Sequence, residues 1–153
     1  FQLLHQVVGR AGREAGRGYG YLQTHQPEHP VLRALIAQDR EAFYPAEIAV
    51  REATGYPPFG RLASLLISGG DKHATESYAR KIAAVSPIHD DVRVLGPAEA
   101  PLAVVRGRYR FRLLVKAPRG FDLSAYLREW LAAVPKAKGT LKLEVDVDPQ
   151  SFL

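Results

Sequence analysis

The chain has 153 residues, 46% hydrophobic and 24% charged, which fits one globular domain or one domain with an appendage. It has no cysteine, which excludes disulfides and thiolate metal sites, and no apolar run approaches the roughly 18 residues of a membrane span. The net charge of +5 favours a polyanionic partner, and it is unevenly placed: residues 1–60 carry 6 basic and 6 acidic side chains, residues 61–153 carry 15 and 10.

Residues 1–8 read as a short helix, with Leu3, Leu4, Val7 and Val8 at helical spacing. Gln6-Val7-Val8-Gly9-Arg10-Ala11-Gly12-Arg13 then sets two arginines three residues apart, each with a glycine just before it. Planar, permanently charged guanidinium groups at this spacing suit a phosphate chain, and glycine lets a backbone approach something bulky. The alternative is a helix end with solvated arginines. Residues 17–24 predict a turn and a short strand, and the two prolines of residues 25–30 break helix. Leu32, Leu35 and Ile36 predict a helix over 31–38. A second helix is expected to start at Pro45, tolerated in a first turn, and to stop near Gly55. Tyr56-Pro57-Pro58-Phe59-Gly60 reads as a rigid linker between domains.

From Arg61 the hydrophobic period changes from helix to strand. A strand over 61–68 leads to a helix over 71–86, whose stripe is Ala74, Tyr78, Ile82 and Val85. Residues 92–95 predict a short strand, and residues 96–101 hold enough breakers to predict a loop. Over 108–116 alternation is clear: Tyr109, Phe111, Leu113 and Val115 point one way, and Arg108, Arg110, Arg112 and Leu114 the other. Asp122 can cap a helix reaching Val134, with Tyr126 and Trp130 on its core stripe. Residues 140–147 give a last strand with Leu141, Leu143, Val145 and Val147 inward. The order β-α-β-β-α-β predicts an α+β fold of the split βαβ, ferredoxin-like kind. Both helices cover one face of a four-stranded antiparallel sheet and leave the other face open.

Arg106, Arg108, Arg110, Arg112, Lys116 and Arg119 supply six positive charges, with no acidic residue between Glu99 and Asp122. Alternation throws Arg108, Arg110 and Arg112 onto the open face, which suits DNA phosphates. The bland alternative is a solubilising strand face. In the strand order 4-1-3-2 the acidic last strand is not adjacent, so the arginines are expected to lack carboxylate partners. No base-reading chemistry is evident, so recognition of shape or structure is expected. His25 and His29 have i, i+4 spacing, but Pro27 and Pro30 argue against a helix and a metal site is not expected. Glu144, Asp146 and Asp148 read as a solvated face or a tether. His5, His73 and His89 read as solvated or core-edge.

Residues 1–13 resemble motif VI of superfamily 2 helicases and, more narrowly, its form in the primosomal protein N′ family of bacterial replication-restart helicases. Residues 22–30, 56–59, 94–97, 106–116 and 146–153 resemble the same family in the same order. Val8 stands where the family usually has alanine. The resemblance implies a C-terminal piece running from motif VI onward: residues 1–55 as the tail of a second helicase lobe, 56–60 as linker, and 61–153 as a domain likened to ribosomal protein S10. It implies an ATP-driven 3′-to-5′ DNA helicase that starts primosome assembly at stalled or branched forks, in the cytoplasm. Gln6, Arg10 and Arg13 would face ATP and Mg²⁺ held by the other lobe, with Arg10 and Arg13 in the catalytic role.

No G-x-x-x-x-G-K-[ST] loop or acidic box occurs in this chain, and the family's zinc segment is also absent. The piece alone is therefore expected to bind no cofactor and to catalyse nothing. The chain also opens on Phe1 in the middle of a motif, which fits a fragment. The expected partners are branched DNA, the rest of the helicase, other primosome proteins and the acidic tail of single-stranded-DNA-binding protein, for which Arg119 is the matching residue; no membrane is expected. Two other readings stay open: a parent that loads without a working motor, and an RNA-binding module, which would need stacking aromatics on the open face.

Overall fold

The structure, a computed structural model, describes Gln6, residues 21–37 and residues 39–149, with only the backbone described for Arg40 and Ala42. The chain divides into two compact units, Phe1–Val50 and Arg51–Leu153.

The first unit holds α1, Pro30–Ile36, where His29 Nδ1 accepts from the Val31 amide and Pro30 occupies the first turn. His29 is thus a helix cap. The next helix, α2, spans Arg40–Thr54 and contains Pro45. The expected start at Pro45 is therefore wrong. Proline removes one intrahelical donor and crowds the preceding turn, but it does not end this exposed, polar helix.

In the second unit the strands are β1 (Gly60–Gly69), β2 (Arg93–Val105), β3 (Arg108–Pro118) and β4 (Lys142–Val147), with α3 (Lys72–Ala84) and α4 (Leu123–Ala133) between them. The four-stranded sheet has the order β2-β3-β1-β4 and every pair is antiparallel. This is the α+β architecture expected from the alternation of periods. Asp71 caps α3 by accepting from the Ala74 amide at 2.7 Å, and Asp122 caps α4 by accepting from Ala125 at 2.9 Å.

The core lies between helices and sheet. Ala63, Leu65 and Ile67 of β1 and Phe111, Leu113 and Val115 of β3 meet Tyr78, Ala79 and Ile82 of α3 and Tyr126, Leu127 and Trp130 of α4. Trp130 is fully buried and donates from Nε1 to the Ile82 carbonyl at 2.8 Å, tying α4 to the end of α3. Tyr78 and Tyr126 donate to the carbonyls of Pro135 and Pro87, each at 2.8 Å. Their hydroxyls thus reach partners at the core's edge while their rings pack inside. Burial pushes both phenol pKa values up, with Glu129 adding to the effect at Tyr126.

Three expectations are corrected. The buried stripe of α3 is Thr75, Tyr78, Ala79 and Ile82, and Ala74 is exposed, because the face centred on Tyr78 and Ile82 continues through Thr75 and Ala79, one step round the helix from Ala74. Residues 96–101 are not a loop: β2 runs through them, with register shifts between Leu95 and Ala98 and between Glu99 and Val104. An edge strand tolerates prolines because one side of its backbone needs no donor to a neighbour. Gly96 sits at the first shift with φ +100, and a Cβ there would lie 2.6 Å from the Arg112 carbonyl oxygen, so β2 can hug β3 at that point only through glycine. On β4, only Leu143 of the expected inward set within the strand is half-buried, while Val145 and Val147 are exposed on an edge the helices do not cover.

Candidate nucleic-acid interface

β1 and β3 form the middle of the sheet, and their alternate residues appear on the face away from the helices. Pairing fixes the rows across that face. Lys116 stands between Arg93 and Leu62. Leu114 stands between Leu95 and Ser64, with Asp146 beyond. Arg112 stands between Ala98 and Leu66, with Glu144 beyond, and Arg110 is followed by Ser68 and Lys142. Arg108, Arg110, Arg112 and Lys116 therefore share the uncovered face, as strand alternation requires. No aromatic side chain stands among these rows.

The stripe is not uniform. Arg108 donates to the Ser68 carbonyl and hydroxyl, each at 3.1 Å, and to the Thr140 carbonyl at 2.6 Å. It staples the end of β1 to the approach to β4. Lys116 donates to the Thr54 carbonyl at 2.7 Å and lies 4.8 Å from the centre of the Tyr56 ring. Arg108 has no carboxylate among these acceptors, as expected of the arginines, but it is not without partners, because backbone carbonyls hold it as they hold Lys116. Arg110 makes only a long contact, 3.4 Å to the Leu102 carbonyl. Arg112 is half-buried, and burial, with Arg110 beside it, pushes its guanidinium pKa below the ordinary arginine value. Arg106 is exposed at the tip of the β2–β3 hairpin, where φ values of +50 at Arg106 and +73 at Gly107 match the two-residue turn that strand twist favours.

Arg93 is a cation that the sequence reading passed over. It is exposed and pairs directly with Lys116 on the open face. Its signal was the antiparallel register of β2 on β3, which a single chain does not display. Lys142 likewise joins Arg106, Arg108 and Arg110 around a cleft of about 240 Å³ at the hairpin end.

The carboxylates of β4 and of Asp148 just beyond it separate into two roles. Asp148 accepts from the Leu62 amide at 3.0 Å and from Arg61 Nε at 2.8 Å, and its own amide donates to the Leu62 carbonyl at 2.7 Å. It is a tether, as one of the two readings of that cluster held. Glu144 and Asp146 instead face outward. They line a slot of about 180 Å³ together with Ser64, Arg110 and Arg112. Ser64 of β1 lies between β3 and β4 on this face, so Arg110, Arg112, Glu144 and Asp146 border one slot although their strands are not adjacent.

Of the other candidate residues, Gln6 is helical and exposed, while Arg10 and Arg13 lie outside the described residues. Arg119 is exposed in the turn that follows β3. Beside that turn, Phe59, Arg93, Lys116 and Pro118 line part of a cleft of about 380 Å³. Among the described residues no group of three histidine or acidic side chains is placed to hold a metal ion, and no helix is long and apolar enough to cross a membrane.

Residues 52–150 match the family described as primosomal protein N C-terminal domain. Over 152 residues, 99% of its length, the chain is 38% identical to the replication restart protein PriA of Rickettsia felis, covering 23% of that protein. It is 36% identical over 153 residues to the protein of the same name from Haemophilus influenzae, covering 99% of this chain and 21% of that one. Against the Bacillus subtilis protein of that name it is 36% identical over 155 residues, covering 100% of this chain and 19% of the relative. The chain thus spans about a fifth of the length of these relatives.

Proposed function

This chain belongs to the primosomal protein N C-terminal domain family, and we propose that it is the part of a replication-restart DNA helicase that grips DNA at a stalled or branched fork and helps start primosome assembly. The observation that carries this reading is the gathering of Arg93, Arg106, Arg110 and Arg112 on the sheet face opposite α3 and α4. The names of the relatives supply the setting of replication restart. Arg108 and Lys116 are largely committed to the fold: they hold carbonyls and act on DNA mainly by keeping the face in shape. No aromatic residue stands in the paired rows of the face, and the Tyr56 ring at its edge is taken by Lys116, which argues for phosphate contacts over base stacking, and hence against the RNA-binding alternative.

Under the same reading, Gln6, Arg10 and Arg13 are half of a nucleotide site. Arg10 and Arg13 contribute guanidinium groups and Gln6 a carboxamide toward the ATP bound with Mg²⁺ by the remainder of the helicase, which would supply the phosphate loop and the metal's acidic ligands. Arg119, exposed beside the cleft of Phe59 and Arg93, is the residue for the acidic tail of single-stranded-DNA-binding protein.

The test is binding of the purified chain to a labelled fork between about 50 and 200 mM salt. Replacing Arg93→Ala with Arg110→Ala lowers affinity about tenfold at the low end and makes the salt slope shallower by about 2. Unchanged affinity would remove the DNA reading. ATP hydrolysis by this chain alone, with or without DNA, would refute the half-site reading.

A further inference from the structure

The open face carries a boundary of charge. Along β3 and the neighbouring end of β2 the outward groups are Arg93, Lys116, Arg112 and Arg110, and along β4 they are Lys142, Glu144 and Asp146. Strands lie about 4.8 Å apart, so β3 and β4, with β1 between them, are about 10 Å apart. Between them β1 offers Ser64, Leu66 and Ser68, which carry no charge. The grooves of a DNA duplex are about 6 and 12 Å wide, so the phosphate rows that border them are separated by distances of this order. A duplex with one phosphate row on the arginines of β3 sets its other row over Glu144 and Asp146. Toward β2 the corresponding positions are Leu95 and Ala98, which offer a second row no cation short of Arg93.

We propose that Glu144 and Asp146 act by repulsion to restrict this face to a single polynucleotide strand, disfavouring duplex by opposing its second phosphate row. The proposal rests on the DNA reading above and names the class of nucleic acid that the face accepts. A single strand has one row to place. It follows β3 from Lys116 past Arg112 and Arg110, then turns across the hairpin end, where Arg106, Arg108 and Lys142 border a cleft that also has Glu144 on its wall. The acidic pair sits inside that bend, and opposed like charges at an interface work mainly by rejecting the wrong partner.

The experiment compares a single-stranded oligonucleotide with a duplex of equal length, by fluorescence anisotropy at about 100 mM salt. The unaltered chain favours the single strand. Glu144→Gln with Asp146→Asn raises duplex affinity about tenfold and changes single-strand affinity about twofold or less. Glu76→Gln with Glu129→Gln, on the two helices of the covered face, makes the same change in net charge and leaves the preference as it was. Three outcomes would overturn the proposal: duplex affinity that does not rise, an equal rise for both nucleic acids in the two double variants, or a loss of single-strand affinity, which would mean that the carboxylates touch the ligand. Failure of the DNA reading shows itself separately, as an unaltered chain that binds neither oligonucleotide.

Discussion

The two faces of the one sheet are built from alternating residues of the same strands, yet they are held by different physics. On the covered face, Leu65, Ile67, Leu113, Val115 and Trp130 are fully buried. On the open face, β1 places Leu62, Ser64, Leu66 and Ser68 beside the cations of β3. Because side chains alternate with a period of two, a slip of one residue would exchange the faces entirely, so burial on one side fixes where every charge on the other side stands. The open face inherits its geometry from the core and is free to choose its residues for chemistry.

The largest effect that sharpens this contrast is Trp130→Ala. It removes a fully buried ring and the bond from Nε1 to Ile82, and is expected to cost about 3–5 kcal/mol in urea unfolding. The folded fraction should still bind DNA as before; a direct loss of affinity would break the separation of faces. Arg108→Ala comes next, with an expected cost of about 1–2 kcal/mol because it leaves the carbonyls of Ser68 and Thr140 without their donor. Arg110→Ala should change stability by less than about 0.5 kcal/mol and show its effect in DNA binding. The opposite pattern would mean that the stripe is divided wrongly.

The smallest effect is alkaline. Tyr78 and Tyr126 are raised by burial, so the unfolded chain loses these protons first and the folded state holds more of them above about pH 10. Stability should therefore be level below that point and fall as pH rises beyond it. Tyr126→Phe should make the fall shallower, and thermal melts between about pH 9 and 11 would show it.

What the sequence made legible follows the same division. Where one face is buried, alternation wrote the answer plainly: β3 and the inward set Phe111, Leu113 and Val115 could be read from spacing alone. Where strands lie at an edge, the pattern weakens. Gly96, Pro97 and Pro101 look like a loop, because their cost is assessed as if both sides of β2 had to pair. Val145 and Val147 look like core, because nothing in one strand says how far the helices reach. The arginine stripe was visible, but the split within it was not. Arg108 finds its acceptors 32 and 40 residues away, and Arg93 joins the face through pairing alone. Glu144 and Asp146 read as solvent-facing, and so they are, but their relation to Arg110 and Arg112 depends on two serines in a third strand.

The tether at Asp148 has a mechanical consequence. It welds the exit of β4 to the start of β1, so the chain enters and leaves the sheet at one pole. The Arg106–Gly107 turn closes the opposite pole, beyond Gly69 and Tyr109. With β1 ten residues long at about 3.3 Å each, about 30 Å of paired strand separates the Arg61–Asp148 tether from the basic Arg106 tip. The covered core braces the strands over that length, so the place of the tip is set by packing far from it.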